Sequence, residues 1–100
     1  MTTKQQQNKT TTMATTSTIV NEMMDRFTDA LDRGQITGMY NYGDLIDYMD
    51  DEFFQRLNNT LKEKDITNKR LVMKAAFDML DANEMVCRGM RDIFNDEFAP

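Results

Sequence analysis

One stretch of the chain, residues 67–98, most constrains the possible fold. Apolar residues recur there at alternating steps of four and three, the spacing of a heptad seam, with one polar exception: Val72, Ala76, Met79, Asn83, Val86, Met90 and Ile93. A second apolar row lies beside the seam and contains Met73, Phe77, Leu80, Cys87, Phe94 and Phe98. Two adjacent rows make a face too wide for a two-stranded coiled coil. The spacing therefore predicts one long helix, or two helices nearly in line, as the spine of a packed core.

Asn83 is the polar residue on this seam, where an unpaired amide would be costly. A spine of about 30 residues is ~45 Å long, and a second copy of the spine would cover that length more simply than two shorter helices. We therefore expect a homodimer in which Asn83, Val86 and Met90 mediate self-association. The alternative is that Asn83 marks a helix break, with its side chain capping the following turn.

The rest of the chain predicts two shorter helices and a tail. Residues 1–16 contain hardly any apolar side chain, which predicts a flexible polar tail before a single helical domain over residues 17–100. The first helix is expected to begin near Ser17 and to stop at Gly34, and the second to run from Asp44 to about Thr60. The predicted fold class is all-α: three antiparallel helices, or four if the spine breaks near Asn83, with the longest at the C-terminal end.

The composition argues against most catalytic and metal-binding chemistry. The chain has no histidine and one cysteine, Cys87, which removes the usual general base, the commonest zinc ligands and any intramolecular disulfide. It contains neither a glycine-rich phosphate loop nor the spacing of an EF-hand. No apolar run approaches the ~20 residues of a membrane span, and no signal-peptide pattern opens the chain. We therefore expect a cytoplasmic protein that is not an enzyme and binds no metal, cofactor or membrane.

Charge is distributed unevenly along this net −5 chain. Residues 18–55 contain two basic and nine acidic side chains, and five of the acids crowd the start of the second helix. This pattern predicts an acidic, aromatic surface that binds a protein partner, and the residues chosen for it are Tyr40, Asp47, Asp50, Asp51 and Phe54. The leading hypothesis is a small non-enzymatic interaction protein: an adaptor, inhibitor or regulator. Small acidic helical chains with a polar leader are common among phage and viral accessory proteins.

The basic segment 56–74 supports a different hypothesis. Residues 56–77 contain six basic and two acidic side chains, and Lys69, Arg70 and Lys74 would lie at the exposed start of the spine. In outline this resembles a helix-turn-helix recognition element, although the turn is long and lacks glycine. The alternative function is therefore a DNA-binding transcriptional regulator. Nucleic acid is the less expected partner, because the acidic surface repels phosphates and these cations could instead offset neighbouring acidic helices.

Overall fold

A computed structural model of the chain describes residues 2–36 and 42–100, and the side chains of residues 15–36 and 43–100. These residues are mostly helical and include no strand, which confirms the predicted all-α class. The helices are α1 (Thr2–Asp32), α2 (Tyr42–Tyr48), α3 (Asp51–Glu63), α4 (Lys69–Ala82) and α5 (Arg88–Ile93), and α5 continues as a π-helical turn, Phe94–Phe98. Helix α1 packs against both α3 and α4, which also contact each other.

Helix α1 begins at Thr2, well before the predicted start near Ser17. Thr16, which was assigned to the polar tail, is buried, and its hydroxyl donates a hydrogen bond of 2.9 Å to the amide oxygen of Asn58 on α3. The packed part of α1 therefore includes Thr16. The flexibility of the residues before it stays a prediction.

Three helices end in the same backbone motif. A residue with positive φ follows the helix, and the next N–H donates to the carbonyl five residues earlier, as in the 2.8 Å bond from Gln35 to Ala30. Gly34 has this conformation after α1, at φ 74°, and the predicted glycine stop is confirmed. After α3 and α4 the position is held by Asp65, at φ 53°, and Glu84, at φ 59°. A side chain in this left-handed region costs roughly 1–2 kcal/mol, so both turns carry strain that glycine would avoid.

The predicted continuous or in-line spine is wrong, because the chain folds back after α4. Helix α4 ends at Ala82, and the C-terminal arm, defined as residues 88–98, runs antiparallel along it. The rings of Phe77 and Phe94 stack with centroids 4.3 Å apart, and Arg91 pairs with Asp81 at 2.9 Å. The alternative of a break at Asn83 is confirmed, but the described residues form five α-helices instead of three or four, and the longest is α1 at the N-terminal end. Folding back lets one chain bury the apolar residues of the arm that a straight helix would expose.

The two apolar rows of residues 67–98 nonetheless form much of the core. Their buried members are Val72, Met73, Ala76, Phe77, Leu80, Met90 and Phe94. An aromatic cluster connects the arm to α1 as well as to α4, since Phe27 lies 6.2 Å from both Phe77 and Phe98 between ring centroids. Burial of each such ring contributes about 2–3 kcal/mol. The arm is therefore part of the hydrophobic core.

Gly89 lets the arm approach the end of α1 closely. A Cβ atom at this position would lie 3.1 Å from two side-chain carbons of Ile36, which is itself buried. The absence of a side chain at Gly89 therefore has a packing reason, which offsets the cost of about 1 kcal/mol that glycine carries within a helix.

Arginine pairs hold the arm at its two ends. The guanidinium of Arg26 donates two hydrogen bonds to the carboxylate of Glu97, at 2.8 and 2.9 Å, and Arg91 donates two to Asp81. The hydrogen bonds from Arg26 lower the pKa of Glu97, and those from Arg91 lower the pKa of Asp81. Both bidentate pairs lie at the surface, so solvent and salt screen them.

The buried Thr16 leads to a first prediction about where the folded unit begins. Deleting residues 1–14 should change the free energy of unfolding by less than about 0.5 kcal/mol, because that segment is nearly devoid of apolar side chains. Deleting residues 1–16 should lower it by about 1 kcal/mol more, because the bond to Asn58 is lost. Urea denaturation of the two truncated chains measures the difference. Equal stabilities would show that the contact of Thr16 contributes nothing.

The two pairs also predict a pH dependence of stability. A carboxylate whose pKa is lowered on folding stabilises the fold above its unfolded pKa, and this contribution is lost as the pH falls through the folded pKa. The free energy of unfolding should therefore decrease as the pH falls from about 5 to 3. The variant Asp81→Asn/Glu97→Gln should show a shallower decrease in urea denaturation over that range. A decrease as steep as that of the unsubstituted chain would exclude these two groups as its source.

Candidate interaction surface

The predicted second helix is interrupted at the point where its acidic residues are densest. Helix α2 ends at Tyr48, and Asp50 is the N-cap of α3, with its carboxylate accepting a 3.0 Å hydrogen bond from the N–H of Phe53. Asp50 has extended backbone, at φ −88° and ψ −172°. Asp51 and Glu52 occupy the first turn of α3, where negative charge favours the helix dipole. One of the predicted partner-binding acids therefore has a structural role as a cap.

The remaining acids form an exposed surface, which we call the acidic surface and define as Asp44, Asp47, Asp51 and Glu52 together with Ile46. All five residues are exposed, and Ile46, at 42%, is one of two exposed large apolar residues among the described side chains. Glu52 lies 3.7 Å from Arg56, at the long end for an ion pair. Asp47 and Asp51 make no ion pair with any described residue. Two carboxylates without an ion pair thus lie close in the chain to an exposed apolar side chain.

The two aromatic residues predicted for this surface have different outcomes. Phe54 is half-buried, packs against the core, and makes an edge-to-face contact with Phe53 at 5.1 Å between ring centroids. The ring of Phe54 therefore contributes mainly to core packing, and part of it remains accessible to solvent. Tyr40 lies outside the described residues.

A concavity between α3 and α4 adjoins the acidic surface. It has a volume of about 470 Å³ and is lined by Tyr48, Arg56, Thr60, Met79, Ala82 and Asn83. The amide nitrogen of Asn83 donates to the hydroxyl of Tyr48 and, at 2.9 Å, to the carbonyl of Met79. Tyr48 in turn makes an edge-to-face contact with Phe53 at 5.5 Å. The hydrogen bond between Tyr48 and Asn83 therefore connects the end of α2 to the end of α4.

The three residues predicted for self-association do not share an exposed face. Asn83 is the exposed C-cap of α4 and bonds within the chain, so its predicted place on a continuous seam is wrong. Its side chain also reaches back to Met79 and not to the following turn. Val86 is half-buried in the connection to the arm, and Met90 is fully buried in the core of its own chain. Self-association itself stays a prediction.

The three cations proposed for nucleic-acid contact all bond within the chain. Lys69 pairs with Glu22 of α1 at 2.7 Å, and Lys74 pairs with Asp78 at 2.9 Å. Arg70 donates a 2.7 Å hydrogen bond to the carbonyl of Glu97 in the arm. These contacts favour the interpretation that the basic segment offsets neighbouring acidic groups. The pairs are exposed, so each contributes at most about 1 kcal/mol.

Within residues 15–36 and 43–100, no group of three or more acidic or cysteine side chains converges as a metal site. Along the described part of the chain, no helix combines the length and the apolar character needed to cross a lipid bilayer. A comparison of the chain with protein-family models, curated proteins and solved structures finds no match in any of the three.

Sequence reasoning missed two features of this surface. Ile46 was not among the residues predicted for the surface, yet its side chain is exposed in α2. The hydroxyl of Tyr48 meets Asn83 across 35 residues of sequence, and no local pattern indicates such a contact. The N-cap at Asp50, in contrast, had a usable signal in the sequence, because an aspartate followed by two acids commonly begins a helix.

The cap leads to a prediction that separates structural from functional acids. Asp50→Ala should lower the free energy of unfolding by about 1 kcal/mol, because the N–H of Phe53 loses its acceptor. Asp47→Ala should change it by less than about 0.5 kcal/mol, as expected for an exposed side chain outside any network. Thermal and urea denaturation of both variants test this. Equal losses would contradict the assignment of Asp50 as the cap.

Proposed function

We propose that this protein is a small non-enzymatic interaction protein that binds a protein partner through the acidic surface. The observation that carries the proposal is that Asp47 and Asp51 lack an ion-pair partner among the described residues and lie close in the chain to the exposed Ile46. Glu22 and Asp78 are instead paired with nearby cations, and Asp25 and Asp32 of α1, which also lack an ion pair within the described part of the chain, have no exposed large apolar residue beside them in the chain. A basic partner surface that also carries an apolar group would complement these residues.

The surface suits recognition and association rate more than raw affinity. Exposed charges attract a complementary partner over roughly one Debye length, about 8 Å at physiological ionic strength. The apolar area of Ile46 and the accessible part of Phe54 would supply the short-range contact. Such binding could make the protein an adaptor, an inhibitor or a regulator. The identity of the partner, and not the binding surface, distinguishes these three roles.

The DNA-binding alternative has less support. Lys69, Arg70 and Lys74 would each have to exchange an intramolecular contact for a phosphate, and a net charge of −5 opposes association with DNA. Binding to duplex DNA at low salt, followed by fluorescence anisotropy and weakened by Lys69→Ala, would favour this alternative over the proposed function.

The experiment that tests the proposal reverses the two uncompensated charges and leaves the cap in place. Asp47→Lys/Asp51→Lys should fold with a loss of no more than about 1 kcal/mol, because neither side chain has an ion pair to lose and Asp51 contributes only its interaction with the helix dipole. The partner captured from the native source by the unsubstituted chain, and identified by mass spectrometry, should bind the variant at least about tenfold more weakly.

A matched control keeps the change in net charge and moves it elsewhere. Asp25→Lys/Asp32→Lys alters two exposed carboxylates of α1, and it should retain the partner at close to unsubstituted affinity. Loss of binding in both variants would indicate a non-specific charge effect. Retention in both would place the partner surface away from α2 and α3, and either result would contradict the proposal.

A further inference from the structure

The connection between α4 and the arm is a strained turn. It depends on the positive φ of 59° at Glu84, a residue type that rarely adopts the left-handed region. Glu84 is exposed, and no described residue pairs with its carboxylate. The folded-back arm therefore holds one residue in an unfavourable conformation that a different path of the chain would relieve.

The same residues fit a continuous helix. Residues 83–87 contain neither glycine nor proline, and the heptad spacing of the first apolar row passes through them without a change of register. In an unbroken helix Glu84 would lie four residues before Arg88, the favourable order for an ion pair. Arg88 is exposed and unpaired within the described residues of the folded-back form. Helix propensity and charge thus favour straightening this connection.

Straightening in a single chain would expose the core anchors of the arm. Met90 and Phe94 are at most 3% exposed, and Phe94 stacks on Phe77. The groove they leave on α1 and α4, with Phe27 and Phe77, would be exposed as well. One occupant matches that groove in shape and charge: the arm of a second copy of this chain, which carries the same anchors and the same Arg91 for Asp81.

We infer that the protein forms an arm-exchanged homodimer, in which α4 and α5 merge into one helix and each arm docks on the other chain. In the dimer, every contact between an arm and its groove is kept, but the arm and the groove belong to different chains. The strain at Glu84 is released in both chains. Opposing this is the entropy lost on association, so the dimer forms at high protein concentration and the folded-back monomer dominates on dilution. This arrangement also accounts for a heptad row that runs across a turn.

A charge-exchange experiment tests whether the arm changes chains. Asp81→Arg and Arg91→Asp each place like charges between α4 and the arm of the same chain. When the two variants are mixed, exchange of arms pairs Arg91 of one with Asp81 of the other, and the two introduced charges with each other. The equimolar mixture should contain about tenfold more dimer than either variant alone, measured by sedimentation equilibrium.

The control for this experiment places both substitutions in one chain. Asp81→Arg/Arg91→Asp restores the pair within the monomer and should sediment like the unsubstituted protein at every concentration. A mixture of the single variants that contains no more dimer than its components, while circular dichroism shows all chains folded, would overturn the proposal.

A second experiment tests the turn itself, and it also serves if either charge variant is poorly folded. Glu84→Gly relieves the positive φ and weakens the continuous helix, so the dimerisation constant should fall by roughly tenfold for each chain, or about a hundredfold. Glu84→Ala removes the same carboxylate but keeps the strain, and it should stay within a few-fold of the unsubstituted value.

Asp65→Gly is the matched control for relief of strain, because it changes a positive-φ residue in the turn between α3 and α4. It should stabilise the monomer and leave the dimerisation constant unchanged. Equal dimerisation of Glu84→Gly and Glu84→Ala would overturn the proposal, and so would a loss of dimer caused by Asp65→Gly.

Discussion

The stacking of Phe94 on Phe77 is the interaction on which the rest of the structure depends. With ring centroids 4.3 Å apart and an interplanar angle of 15°, it turns the C-terminal residues back along α4. The aromatic cluster then reaches α1 through Phe27 and Phe98. A Phe→Ala change at such a site typically costs 3–5 kcal/mol, a large part of the stability of a domain of this size. The arginine pairs align an arm that apolar burial already holds.

Sequence periodicity predicted which residues are buried, but not the path of the chain between them. Val72, Phe77 and Phe94 are in the core as their rows indicated, because helical spacing sorts side chains whether or not a helix is continuous. The turn at residues 83–87 was not predictable from spacing, because the heptad continues through it. It also lacks the glycine that usually marks a helix end, since Glu84 takes the left-handed position.

In the candidate interaction surface as well, the sequence predicted where residues lie but not which contacts they make. Charge patterning located the acids of α2 and α3, and Asp47 and Asp51 lie exposed as expected. Asp50 was grouped with them because the second helix was predicted to run unbroken from Asp44, although the two acids that follow Asp50 were a usable signal for a cap. The basic segment was assigned a possible role in DNA binding since the sequence alone could not show that Lys69 meets Glu22 on a distant helix. Long-range pairing explains the outcome for the basic segment, and a local helix break explains the outcome for Asp50.

One distance measurement tests directly whether the arm lies against α4 in the monomer. Spin labels at Leu71 and Asp96, both exposed, can be attached in a Cys87→Ser chain and measured by pulsed electron paramagnetic resonance at low protein concentration. A folded-back arm places the labels roughly 15–20 Å apart, since packed helices lie about 8–10 Å from each other. A continuous helix would separate them by about 38 Å at 1.5 Å per residue. We expect the short distance, and the long distance in the monomer would contradict the folded-back arrangement.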